Sequence, residues 1–257
     1  LIPILLAVVV LSSGCDPDGY SCNSEGCYED NDNPQYQTLE DCNSLCDQIT
    51  PKPVSCGTVL HDGYDYSTVQ IGDQCWFAEN CRYLPEVSPS SEGNDTDPYY
   101  YVYDYQGTDV TAAKSTSNYE TYGVLYNWPA VMTAGICPSG WHIPTDGEFT
   151  VLTDFLGGEL DIPNGIITVA GGKMKEAGLD HWNSPNLGAT NSSGWTGLPG
   201  GYRYSNGFSS DGNYGYWWSA SESGSNSWSR LLNYQSDVVN RFYRTRWGGF
   251  SARCVQD

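Results

Sequence analysis

Basic residues are scarce in this sequence. Eleven Lys and Arg stand against thirty-one Asp and Glu, for a formal charge of −20. A phosphate backbone needs a basic footprint, so nucleic acid is excluded as a partner. Histidine is scarcer still, with three in 257 residues, which leaves little for an imidazole-built metal site. Long apolar runs are few, and Ile2 to Leu11, the run at the start, is too short to cross a bilayer. Also missing are G-x-S-x-G, H-E-x-x-H and a phosphate-binding Gly loop, so no familiar catalytic motif is present.

What is abundant points outside the cell. Twenty Tyr and nine Trp outnumber six Phe, and both types join an apolar body to a polar handle suited to twisted sheets and binding surfaces. The apolar run of residues 1–14 has the length of a signal-peptide core, although no Met or basic segment precedes it, as if the start were truncated. It ends in "LSSGC", which resembles a bacterial lipoprotein cleavage box with Ser12 in place of a large aliphatic. The expectation is lipidation at Cys15 and a membrane tie through that anchor, with plain secretion as the alternative. Outer-membrane or cell-surface placement follows.

Ten cysteines in an exported chain read as disulfides. Cys22, Cys27, Cys42 and Cys46 form a compact set over residues 15–50, where nine Asp or Glu occur without a Lys or Arg. So short a stretch cannot build a core, and two bridges are its natural staple; zinc is the rival, but no CxxC pair is present. "TLEDCNSLC" reads as a short helix with Thr38 as its N-cap. A Pro-containing linker, 51–55, leads into a main domain over 56–257. There Cys56, Cys75 and Cys81 leave two pairings open: Cys75 with Cys81, or Cys56 with Cys75.

Alternation in "YDYSTVQIGDQCWF" gives a strand, a turn at Gly72-Asp73 and a second short strand. A polar loop runs to about Pro98, then "YYYVYDY" is strand-like and "TYGVLYNWPAVM" suits a buried segment leading into a helical turn. "CPSGWHIPTDGEF" gathers Cys137, His142, Asp146 and Glu148, as an active site would. Thr145 with Glu148 three residues on is a capping box, however, and Pro144 with Phe149 forms a hydrophobic staple. Phe149, Leu152, Phe155 and Leu156 recur at helical spacing until Gly157-Gly158. Asp146 then favours the positive end of the helix dipole, and His142 has the plain role of a hydrogen bond beside Trp141. "AGGKMKEAGLDHWNSPN" holds a short helical turn. From Gly194 onward short strands alternate with Gly, Asn and Ser turns, and five of the seven Arg fall at or after Arg230, beside Trp and Tyr. Trp228, Arg230 and Leu232 share one strand face.

The segments "TVQIGDQCWFAEN", "YGVLYNWPA", "CPSGWHIPTDGEFTVLTDFLGG", "GWTGLPGGYRYSNG", "YWWSASES" and "GFSARCVQD" resemble, in order from Gly57 to Asp257, the Fibrobacter succinogenes major paralogous domain. That family resemblance implies an α+β, C-type-lectin-like domain of the formylglycine-generating-enzyme branch. Its short twisted antiparallel strands would come with one or two helices and long loops. In such a fold the first and last strands lie side by side, which implies a Cys137–Cys254 bridge and removes the thiol from the "CPSGW" cluster.

The function expected is a non-catalytic binding module for a glycan or a surface protein. Loops on a rigid scaffold would carry it, through Tyr202, Tyr204, Phe208, Tyr214, Tyr216, Trp217, Trp218 and Glu222. For most of these aromatics burial in the core is the plainer expectation. No cofactor is expected; the alternative is calcium, at Asp95, Asp97, Asp104, Asp109 and Glu222, without an EF-hand loop or the Glu-Pro-Asn and Trp-Asn-Asp triplets of calcium lectins. Formylglycine-type chemistry would need two reactive cysteines, and none lies between Cys137 and Cys254. A carboxylate-pair hydrolase ranks below a structural subunit of a surface filament or outer-membrane assembly.

Overall fold

A computed structural model describes residues 53–157, 170–204 and 207–257, together with the backbone of residues 20–23 and 26–29. The chain divides into two compact units, Leu1–Lys52 and Pro53–Asp257. In the first, β1 (Tyr20–Asn23) and β2 (Gly26–Glu29) form an antiparallel hairpin whose register sets Cys22 opposite Cys27. Lipidation at Cys15, the bridges of Cys22, Cys27, Cys42 and Cys46, and the helix at Thr38 all concern positions or side chains outside the described residues.

The second unit is mostly β-sheet with a few short helices and two disulfides. Its first sheet opens with β3 (Thr58–His61), β4 (Tyr64–Ile71) and β5 (Gln74–Phe77). The β3–β4 turn places Asp62 and Gly63 at φ of 48° and 75°. Two positive φ values suit the right-handed twist of a hairpin, and Gly reaches them without strain. Next come β6 (Tyr100–Tyr101), α1 (Val110–Lys114), α2 (Ser117–Tyr122), β7 (Leu125–Tyr126), α3 (Trp128–Val131) and β8 (Trp141–His142). The strand expected across "YYYVYDY" is therefore only two residues long. Both α1 and α2 have side-chain N-caps, Asp109 and Thr116.

The main helix, α4 (Asp146–Leu156), has the anticipated capping box at Thr145 and Glu148, and stops at Gly157, φ 125°. Phe149, Leu152 and Leu156 are buried, but Phe155 is 66% exposed, against expectation. At 100° per residue Phe155 falls about 60° or more from the other three, on the rim of the apolar stripe. A Cβ at Gly72 would approach its ring to 3.1 Å. After the short α5 (Ala170–Met174) come β9 (Gly200–Tyr204), β10 (Gly207–Asp211), β11 (Tyr214–Ser223), β12 (Asn226–Asn233), β13 (Asn240–Thr245) and β14 (Val255–Gln256).

Two five-stranded sheets organise these elements, with orders β10-β9-β11-β12-β13 and β3-β4-β5-β14-β8. Neighbouring aromatic pairs show why strict apolar–polar alternation fails here. Trp76 and Phe77 on β5, like Trp217 and Trp218 on β11, point to opposite faces and feed two separate cores. One core centres on Tyr66, Phe77, Tyr126, Trp218 and Phe250, the other on Trp76, Phe149, Trp195, Trp217 and Val255. A strand buried on both faces can carry consecutive large residues.

The last strand, β14, pairs antiparallel with both β5 and β8, setting Val255 opposite Trp76 and His142. That brings the Cys137–Cys254 bridge together across 117 residues. Constraining so long a loop contributes a few kcal/mol, roughly 2–4. Cys56 bonds Cys75, which settles the open pairing, and Cys81 stays a buried free thiol. Among the described residues, no helix is long and apolar enough to cross a membrane.

Candidate functional site

Burial sorts the expected ligand residues into two groups. Trp217 and Trp218 are wholly buried and Tyr216 is 9% exposed, so no ligand can stack on them. The Trp217 indole N–H donates to Asn80 Oδ1 (2.9 Å) and that of Trp218 to the Tyr126 carbonyl (2.8 Å). These three are core, the plainer of the two expectations. Tyr202, Tyr204, Phe208 and Tyr214 are half-buried, and Phe208 packs on Tyr103 at 5.2 Å between ring centres. Glu222 is an exposed carboxylate paired with Arg246 at 3.2 Å.

Of the aromatics, Tyr204 lines an open cavity of about 250 Å³, together with Asn226, Tyr243, Arg244 and Thr245. The last three come from β13 and Asn226 from the start of β12, where Asn226 faces Thr245. Tyr204 is set by its surroundings: its ring meets Trp247 edge-on at 4.8 Å and Tyr202 at 5.4 Å. A Cβ on Gly248 would come within 2.9 Å of that ring, so the close approach needs glycine there. Behind it, the buried Arg203 donates to the carbonyls of Ser90 (2.8 Å), Trp247 (3.0 Å) and Glu92, and stacks on Tyr101. Burial lifts the Tyr204 hydroxyl above its ordinary pKa, while Arg244 and a hydrogen bond with Thr245 pull the other way. It remains a neutral hydroxyl able to donate and accept.

Strand β13 is an edge of its sheet, with Phe242 39% and Tyr243 57% exposed. Arginines dominate it. Arg241 lies 3.5 Å over Trp228 and grips Asp146 (2.6 Å), which Arg230 also holds (2.8 Å). Asp146 thus does more than favour the helix dipole. Burial raises its pKa, but the hydrogen bonds from Arg241 and Arg230 prevail and hold it below the usual range. Arg244 stacks 4.8 Å from the Phe242 ring centre.

The "CPSGWH" cluster is structural. His142 bridges Asp257 (Nδ1, 2.6 Å) and Glu148 (Nε2, 2.8 Å), and the other Glu148 oxygen accepts from the Thr145 amide. Burial lowers the His142 pKa, yet the two carboxylate hydrogen bonds outweigh it and the net shift is upward. Cys137 is bridged, so the imidazole faces no thiol nucleophile. Among the residues expected for calcium, Asp109 caps α1, Asp97 accepts from Asn94, and Glu222 holds Arg246. No three His, Cys, Asp or Glu side chains gather in a metal-holding group among the described residues.

Sequence reasoning missed Tyr243, Arg244, Asn226 and Thr245. The visible signal was the run of Arg and aromatics in "NRFYRTRW", whose exposure depends on being an edge strand. Neither a curated protein nor a solved structure matches the chain. A family model, the Fibrobacter succinogenes major domain, matches residues 69–256. With well over half of its length matched, the chain belongs to the Fibrobacter succinogenes major domain family.

Proposed function

We propose that this protein is a non-catalytic binding module carried outside the cell, and that its ligand is a glycan. The observation behind this reading is the cavity at Tyr204, Tyr243 and Arg244, where ring faces, hydroxyls and a guanidinium meet at the sheet edge. Tyrosine rings stack on the C–H faces of sugars, and the polar groups around them can meet sugar hydroxyls. The C-type-lectin-like reading of the fold and lipidation at Cys15 belong to the same proposal, in which the chain is tethered to a membrane. The acid–base groups at His142 already hold a helix start and the strand β14 in place, which favours binding over hydrolysis.

A glycan array probed with the full chain, with calcium and then with chelator, tests the reading. Expected is a bound glycan class lost in Tyr204→Ala while thermal unfolding stays cooperative. Loss with chelator alone would add a calcium site elsewhere on the chain. A second reading, a subunit of a surface assembly, draws on the exposed β13 edge with Phe242 and Tyr243, since an open edge can pair with another strand. Light scattering against concentration, together with a blank array, would favour it.

A further inference from the structure

Three arginines stand along β13 and just beyond it, and two have carboxylate partners. Arg241 holds Asp146 and Arg246 holds Glu222. Arg244, between them, has no carboxylate partner among the described residues. Its guanidinium stacks against Phe242 at 4.8 Å and lies 5.9 Å from the Tyr216 ring centre. The cavity at its side is walled by Tyr204, Asn226, Tyr243 and Thr245. In a chain of formal charge −20, such a guanidinium is a local exception to the surrounding field. Guanidinium groups bind carboxylates through paired, charge-assisted hydrogen bonds.

We propose that this cavity takes a carboxylate-bearing sugar, a uronic acid unit of a glycan, with Arg244 as its counter-ion. The proposal rests on the binding-module reading and adds the charge of the ligand and the residue that reads it. Two tyrosine rings and the Asn226 and Thr245 side chains suit a pyranose, which offers an apolar face and several hydroxyls. The cavity is smaller than the roughly 300–1,000 Å³ of sites for larger ligands, so it suits one ring at a time. An acidic peptide would find more to bind along the open backbone of β13 than in this cavity.

Calorimetry on the full chain decides it, using oligogalacturonate, its methyl ester, a neutral galactose oligomer and polyglutamate. Expected is binding of the acid about ten- to a hundredfold tighter than of the ester, which keeps the ring and loses the charge. Arg244→Gln should remove that preference, so that acid and ester bind within about twofold of each other while thermal unfolding stays cooperative, and Arg244→Lys should fall between. Equal binding of acid and ester overturns the carboxylate assignment and leaves the glycan reading standing. Polyglutamate binding above every sugar overturns the sugar assignment, and no sugar binding at all overturns both.

A separate observation concerns sulfur. The Cys81 thiol lies 3.6 Å from the Cys254 sulfur of the Cys137–Cys254 bridge, and all three belong to or pack on one core. The backbones are neighbours too, since the Cys81 N–H donates to the Ala252 carbonyl at 2.9 Å. Cys81 and Cys254 are fully buried, whereas Cys137 is half-exposed.

We infer that Cys81 can displace Cys137 from Cys254, moving the bridge inward and presenting a thiol at the surface. The Cys81–Cys254 bond forms as Cys254–Cys137 breaks, the Cys81 proton is lost to solvent, and Cys137 takes one up, with no net oxidation. Thiolate is the attacking form, and burial pushes the Cys81 thiol up to about 12, so the exchange is slow near neutrality and quickens with pH. Folded full chain held at pH 8 to 9 with a thiol-alkylating reagent, then digested and mapped by mass, should gather label at Cys137 with a Cys81–Cys254 peptide. Cys81→Ala should show no label at Cys137. Label on Cys81 with Cys137 still bridged, or no label after hours at pH 9, overturns the inference.

Discussion

Arginine occupies two contrasting regions of this molecule. In the interior, Arg253 is wholly buried and its guanidinium lies 3.8 Å from the Trp195 ring centre. It donates to Asn80 Oδ1 (3.1 Å) and to the carbonyls of Thr196 (2.8 Å), Trp195 and Phe77. Burial pushes its pKa down to about 9. At the β13 edge, Arg241, Arg244 and Arg246 lie on aromatic rings in exposed or half-buried positions, and two of them hold carboxylates. The inner arginine joins segments by satisfying carbonyls that would otherwise be orphaned. The outer ones offer charge. The same residue type is therefore structural in one place and available for recognition in the other, and the partner set tells which.

The contrast is tested hardest by removing the inner guanidinium. Arg253→Ala takes the guanidinium donors from the buried Trp195 and Thr196 carbonyls, leaves Asn80 Oδ1 with the Trp217 indole alone and opens a cavity, and should cost about 3 kcal/mol or more in urea unfolding. Asp146→Asn lies between the two regions, since it releases the edge Arg241 as well as the buried Arg230; about 2 kcal/mol is expected, Asp146 being partly exposed. Arg241→Ala should cost less than about 1 kcal/mol, because an exposed pair is screened. Arg244→Gln should leave stability within about 0.5 kcal/mol, and a larger loss would make the edge structural after all.

Smallest of all is a pH effect at the helix start. The folded state raises the His142 pKa, so the contribution of His142 is full below the unfolded value of about 6.5 and drains away as pH climbs through the folded value. The melting-temperature gap between the native chain and His142→Gln should therefore be wider at pH 6 than at pH 8.5. A gap independent of pH would mean that the His142 contacts act by shape alone.

Local features could be read from the chain: the turn at Gly72-Asp73, the capping box at Thr145 and Glu148, and the block of short strands. Each depends on residues a few positions apart. What could not be read depends on distance in sequence. Asp146 meets Arg230 and Arg241 across 84 and 95 residues, and Cys81 meets Cys254 across 173. Phe155 fits the helical period as well as Leu156 does, and only the packing of α4 put one outside and the other in. Tyr204 could be named as an aromatic candidate, but its cavity is completed by a strand whose exposure pairing order alone decides.

The place of β14 carries a consequence for how this unit can be altered. Residues 255–256 are the seam between a hairpin formed near residue 74 and a strand near residue 141. Cutting the chain before Val255 would not trim an edge; it would divide one sheet into two pieces with no shared ladder. Assembly has the same requirement in time. Three stretches far apart in sequence must meet before that sheet is continuous, so its closure belongs to the slow, non-local part of folding. The β3–β4–β5 hairpins on one side can form early and wait, whereas β8 on the other has only β14 as a ladder partner.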